Sequence, residues 1–291
     1  MPSGIALGVA TAMSWGSADF LARFATRSVG SVRALLGMQF WGAIFVTILL
    51  FSSHDWGHLF DFSGWQPWAW GVLAGFINTL AMLALYRAFE IGKLSLVGPV
   101  SASYPVLTVI LSLLSGEHLS LFRAAGIVAA LGGVLLVASG EKSSATQGEQ
   151  KSHHTRGIAW AIAAAAGFGV LFWLLGIRMI PRTGALATVW LIRVTGAVLT
   201  FAIVLAQNVP LRIKNRQTSA QFYSMGFFDT AAFALSNLGM RLEQVAVVSV
   251  LGSLYGAVTV ALAAIFLKER IAPMQWTGIA AIFLGVALMN V

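Results

Sequence analysis

Ten apolar runs of about twenty residues follow one another along the 291-residue chain, a series that no water-soluble fold can bury. Crossing roughly 30 Å of hydrocarbon satisfies the backbone only in a helix or a closed barrel, and runs of this length are helical. Spans are expected near 3–25, 33–53, 67–90, 94–115, 120–139, 157–180, 184–206, 219–242, 245–267 and 271–290. Charged residues make up only 10% of the chain, against about 25% in a soluble domain. The start, Met1 to Val9, lacks the basic region of a cleavable signal, so the first run is read as a retained span.

A formal net charge of +8 would point to nucleic acid in a soluble chain, but with the spans set aside too few charges remain for a phosphate-tracking face. The surplus has a better use in orientation. Assigned to the nearest span ends, thirteen Lys and Arg, from Arg23 to Arg270, fall on one side, and Arg123, Arg178, Arg182 and Arg241 fall opposite. The richer side is expected to be cytoplasmic in a bacterial inner membrane, with both termini outside. Cysteine is absent, which excludes disulfides and thiolate chemistry. Nothing supplies a nucleophile with a base, a clustered metal site or a phosphate loop, so neither an enzyme nor a cofactor is expected.

The least apolar stretch, residues 140–156, has the composition of a solvated linker and divides the chain into halves 1–139 and 157–291, five spans each. The adjacent His153 and His154 lie there without further ligands nearby and read as a solvated pair. The halves resemble each other. Gly4-Ile5-Ala6 meets Gly157-Ile158-Ala159 at an offset of 153, which also aligns Gly16 with Gly169. At an offset of 152, Glu117, Gly126, Ile127, Ala129, Gly133, Val134 and Leu136 match Glu269, Gly278, Ile279, Ala281, Gly285, Val286 and Leu288. An odd number of spans per copy makes the second enter the membrane from the opposite side, the inverted-repeat plan of secondary transporters.

Trp15-Gly16, the stretch Tyr86-Arg87-Ala88-Phe89, and the Glu-then-Gly pattern in both halves resemble the EamA-type family of the drug/metabolite transporter superfamily. The second half departs from it where Leu238-Gly239-Met240-Arg241 replaces the aromatic ending of the third span. The resemblance implies ten helices around a central cavity, carrying small metabolites, often amino acids, by alternating access. It implies a cavity wall for Trp15, which otherwise reads as plain packing about eighteen ångströms into the first span at 1.5 Å per residue. Expected partners are a small-molecule substrate and the lipid bilayer, with no nucleic acid, in a monomer or weak homodimer. A lipid flippase or channel on the same scaffold is the alternative.

An ionisable group in mid-bilayer costs about 2.5–3.5 kcal/mol on insertion scales and so faces a cavity or a partner. Arg193 and Asp229 lie at similar depths in sequential antiparallel spans. They read either as a structural ion pair or as a substrate site, in which Arg193 holds a carboxylate and Asp229 an amine or a proton. Asp19 and Arg23, one turn apart, suit an i,i+4 pair, with a gating or proton-coupling role as the functional alternative. Asn78, Ser101, Tyr104, Asn237, Ser253 and Tyr255 form a polar set at related repeat positions, for substrate or for interhelical hydrogen bonds. Gly98-Pro99 and Pro105 are expected to bend the fourth span, and Gly252 and Gly256 to loosen its counterpart without proline. Glu117 and Glu269 read as caps on the helices they precede.

Overall fold

The computed structural model describes residues 3–53, 59, 64–92, 94–139, 148–211, 215–267 and 273–289. Among these it is helical throughout, without strands. The helices are α1 (Gly4–Val29), α2 (Ser31–Ser53), α3 (Gln66–Ile91), α4 (Leu94–Ser101), α5 (Pro105–Leu114) and α6 (Leu121–Ser139). They continue as α7 (Gly148–Leu174), α8 (Ala185–Ala206), α9 (Arg216–Leu242), α10 (Val245–Ser253), α11 (Tyr255–Leu267) and α12 (Pro273–Met289). Among the described residues six segments are long and apolar enough to cross a membrane: α1, α2, α3, Arg156–Thr183, α8 and Val245–Phe266.

Local chemistry sets the boundaries. Ser3 caps α1 by accepting from the Ala6 N–H at 3.2 Å, and Asn215 caps α9 from Gln217 at 2.9 Å. Gly30 ends α1 at φ 86° and lets α2 start one residue later; Gly184 plays the same part before α8 at φ 78°. The helix α7 begins at Gly148, inside the stretch read as linker, and passes through a π turn at Leu175–Met179 just before Pro181. Residues 140–147 lie outside the described residues, as do the side chains of His153 and His154.

Two expected single spans are broken. In the first half the break falls at Ala102–Tyr104, immediately before Pro105, because a proline is tolerated at a helix start and not in its interior. Pro99 instead lies inside α4, its side chain outside the described residues. In the second half the break is at Leu254, between Gly252 and Gly256, and needs no proline.

The two halves interlock. Helix α1 packs on α9, α10 and α11, and its counterpart α7 packs on α3, α4 and α5, while α2 meets α8 and α6 meets α12. Helices α1 and α7 run in opposite directions. At one end Arg27 donates to the Gly92 carbonyl, beside which Gly157 starts the apolar part of α7. At the other end Gly4 approaches Glu243, and Gly176 of the π turn approaches Val245.

The repeat glycines owe their identity to the α6–α12 seam. A Cβ on Gly133 would stand 2.6 Å from the Gly278 carbonyl oxygen, and one on Gly285 would stand 2.6 Å from that of Gly126. The backbones touch where a side chain would separate them. Gly133→Leu or Gly285→Leu should therefore cost about 1–3 kcal/mol of stability in thermal unfolding. Gly132→Leu, with nothing within 4 Å of its Cβ, should be silent.

Glu117 does cap a helix, but not the one it precedes. Its Oε2 accepts from the Ala246 N–H in the first turn of α10, at 3.3 Å, while Ser120 caps α6. The loop before α6 is thereby tied to the second half, and the Arg123–Glu243 ion pair at 2.6 Å reinforces the tie. Glu269 lies outside the described residues.

Candidate functional site

An aromatic residue followed by glycine on the first helix of each half meets a tyrosine at the helix break of the other half. Gly16 lets α1 approach α11, where its Cβ would stand 2.5 Å from Val258 and 3.2 Å from the Tyr255 carbonyl oxygen. Gly169 makes the same approach to Leu107 and the Tyr104 carbonyl at 2.7 and 2.9 Å. The rings follow suit, since Trp15 lies 6.3 Å from Tyr255 and Phe168 lies 6.3 Å from Tyr104. Trp15 also packs edge-on against Phe172 and Phe233 at 5.3 and 5.4 Å.

These rings line a small cavity together with their neighbours, its walls being Trp15, Asp19, Met82, Leu85, Tyr104, Phe168, Phe172, Asp229, Phe233 and Tyr255. Its phenols are fixed. Tyr104 donates to the Ser249 carbonyl at 3.0 Å, and the Tyr255 hydroxyl lies 2.8 Å from Ser101 Oγ. Ser101 spends its own proton on the Gly98 carbonyl at 2.8 Å, which leaves the Tyr255 O–H to donate. Gly252 makes room at the wall, for a Cβ there would stand 3.1 Å from Trp15 and 3.2 Å from the Tyr104 hydroxyl.

The buried charges are divided between the wall and the packing behind it. Arg193 is fully buried and absent from the cavity lining. It forms an ion pair with Asp229, donates to Gln39 Oε1 at 2.8 Å, and places its guanidinium 4.9 Å from the Phe233 ring centre. Glycines again create the space. Gly196 faces Gln39, and Gly42 faces Arg193 and Thr230, so α2 and α8 close around the guanidinium. Asp229 therefore reaches the cavity already compensated.

Asp19, 5% exposed, also lines the cavity. The ion pairs found among the described residues are Arg87–Glu90, Arg123–Glu243 and Arg193–Asp229, so the expected Asp19–Arg23 pair does not form. Arg23 is engaged elsewhere. Asp19 has turned one helical turn on from Trp15 into the chamber, within electrostatic reach of Asp229, and has no hydrogen-bond or ion-pair partner among the described residues.

Of the residues singled out in the sequence, Trp15, Asp19, Tyr104, Asp229 and Tyr255 meet at the cavity, while Ser101 and Gly252 support its wall. Asn237 instead donates to the Ala185 carbonyl at 3.1 Å, and Ser253 to that of Val250 at 2.7 Å. Asn78 is buried off the cavity with neither amide atom hydrogen-bonded. Sequence reasoning missed Phe168, Phe172, Phe233 and Gln39. A signal existed for the first two, which stand at the offset of 153 from Trp15 and Asp19.

The EamA-like transporter family matches the chain over residues 2–139 and again over 155–291. A solved crystal structure, described only as that of a protein, superposes with a TM-score of 0.76 at 17% identity, covering 98% of this chain and 95% of its own. That likeness speaks for the fold. Comparison with curated proteins gives no match. Among the described residues the bundle is all-helical, and the family model matches its two halves in turn. The chain belongs to the EamA-like transporter family, part of the drug/metabolite transporter superfamily, and is an integral membrane protein of that transporter type.

Proposed function

We propose that the chain is a secondary transporter that carries a small amine-bearing metabolite by alternating access through the aromatic cavity. The observation that carries this reading is the Asp19 carboxyl, without an ion-pair partner among the described residues, set among aromatic rings where the two halves meet. All ten apolar runs cross the bilayer in this reading, as two oppositely inserted sets of five around a cytoplasmic linker at 140–156. The basic end that holds Arg27, Arg33 and Arg87 faces the cytoplasm, and the Arg123–Glu243 end faces outward. Amino acids, related zwitterions and organic acids are the cargo that the sequence favours. Among the described residues of the cavity their carboxylate end has no free cation, since Arg193 is held by Asp229 and Gln39. Export driven by proton coupling or by exchange suits a chain without nucleotide-binding motifs.

Counterflow in proteoliposomes tests the reading: saturable flux that accelerates with cargo on the far side is expected, and unsaturable flux would make the protein a channel. Sidedness is accessible because the chain contains no cysteine. Single cysteines at Ser3 and at Ser120 should both label from outside, and one at Ser28 only from the cytoplasm.

A further inference from the structure

The cavity offers an unequal welcome to the two charge signs. Asp229 is neutralised by Arg193, so Asp19 is the carboxyl of the lining left without a cation partner among the described residues. The rings of Trp15, Phe172, Phe233 and Tyr255 surround it, and aromatic faces attract cations. For an anion the described walls hold no free cation. Both phenol protons are committed, to the Ser249 carbonyl and to Ser101, and the guanidinium lies behind the wall with Asp229 and Gln39 as its partners. A carboxylate entering here would meet two other carboxyl groups and no free cation among the described residues.

Granting that this cavity is the transport site, we propose that it selects compact monovalent organic cations, an ammonium group on an apolar or aromatic body, and rejects carboxylate-bearing cargo. The chamber is small, which favours a compact cation. Asp19 takes the charge and Trp15 a ring face or edge, while Met82 and Leu85 bound the apolar end.

The test uses the full chain in detergent and benzyltrimethylammonium as probe, with neopentylbenzene as its uncharged isostere and phenylalanine and phenylpropionate as carboxylate competitors. The ammonium probe should raise the melting temperature and quench tryptophan fluorescence saturably, and the other three should do neither. Asp19→Asn should weaken the probe at least about tenfold, and Trp15→Leu by a comparable factor, while Trp15→Phe keeps most of the affinity. Should Asp19→Asn fail to fold, the Trp15→Leu and Trp15→Phe comparison carries the test. Equal binding of neopentylbenzene, tighter binding of phenylalanine or phenylpropionate, or no binding of the ammonium would each overturn the proposal. Probe binding without saturable flux would remove the transport reading and leave the cation site standing. Saturable flux of a carboxylate cargo without probe binding would do the reverse.

Discussion

Arg193→Leu should destabilise the folded protein by about 3–5 kcal/mol, because it leaves Asp229 as an uncompensated charge in a site sealed from solvent. The loss goes beyond one ion pair: Gln39 loses its 2.8 Å contact and Phe233 loses the cation lying 4.9 Å from its ring centre. Thermal unfolding of the purified protein measures the effect. Arg193→Leu combined with Asp229→Leu should recover much of the stability, since a matched apolar pair carries no stranded charge. A single variant as stable as the parent would show that the guanidinium holds nothing together. Arg193→Lys separates the two roles weighed for this residue, because lysine keeps the charge but loses the planar fork that reaches Asp229 and Gln39 together. A structural pair predicts lower stability with unchanged affinity for the ammonium probe in the surviving protein.

Gly252→Val should have the largest effect on binding among substitutions outside the charged residues. The position touches Trp15 and the Tyr104 hydroxyl at little over 3 Å, so branched methyl groups would have to displace one wall of the cavity. Overpacking of this kind costs about 1–3 kcal/mol, or about tenfold to a hundredfold in affinity if the strain falls on the bound state. Titration with benzyltrimethylammonium reads the loss directly. Gly98→Ala is the matched control, since its Cβ would meet Thr259 at 3.7 Å, ordinary contact. If Gly252→Val bound the probe like the parent, Trp15 could not be a fixed wall of the cavity.

The residues that were readable in advance share a physical reason. Trp15, Asp19, Tyr104, Arg193, Asp229 and Tyr255 are conspicuous because charge, phenol or indole is costly or unusual at depth in an apolar run. The glycines of α6 and α12 were readable because both copies keep them, and the seam shows why. Phe233 was not, because an aromatic in an apolar helix looks the same whether it faces lipid, a neighbour or a cavity. Gln39 escaped for another reason. Its significance lies in Arg193, 154 positions away, and no spacing within α2 announces that contact.

Composition and run length were enough to establish a helical membrane protein. The internal repeat was enough to give two matched halves, and Pro105 to mark one helix break. Which carboxyl is neutralised and which stands open was decided by packing. Asp229 and Arg193 meet because glycines at 42 and 196 let α2 and α8 close, and Asp19 turns away from Arg23 into a chamber built by helices from both halves. When helices are apolar on every side, their rotation about their own axes is set by contacts between residues far apart in the chain, and periodicity along one strand of sequence does not encode it.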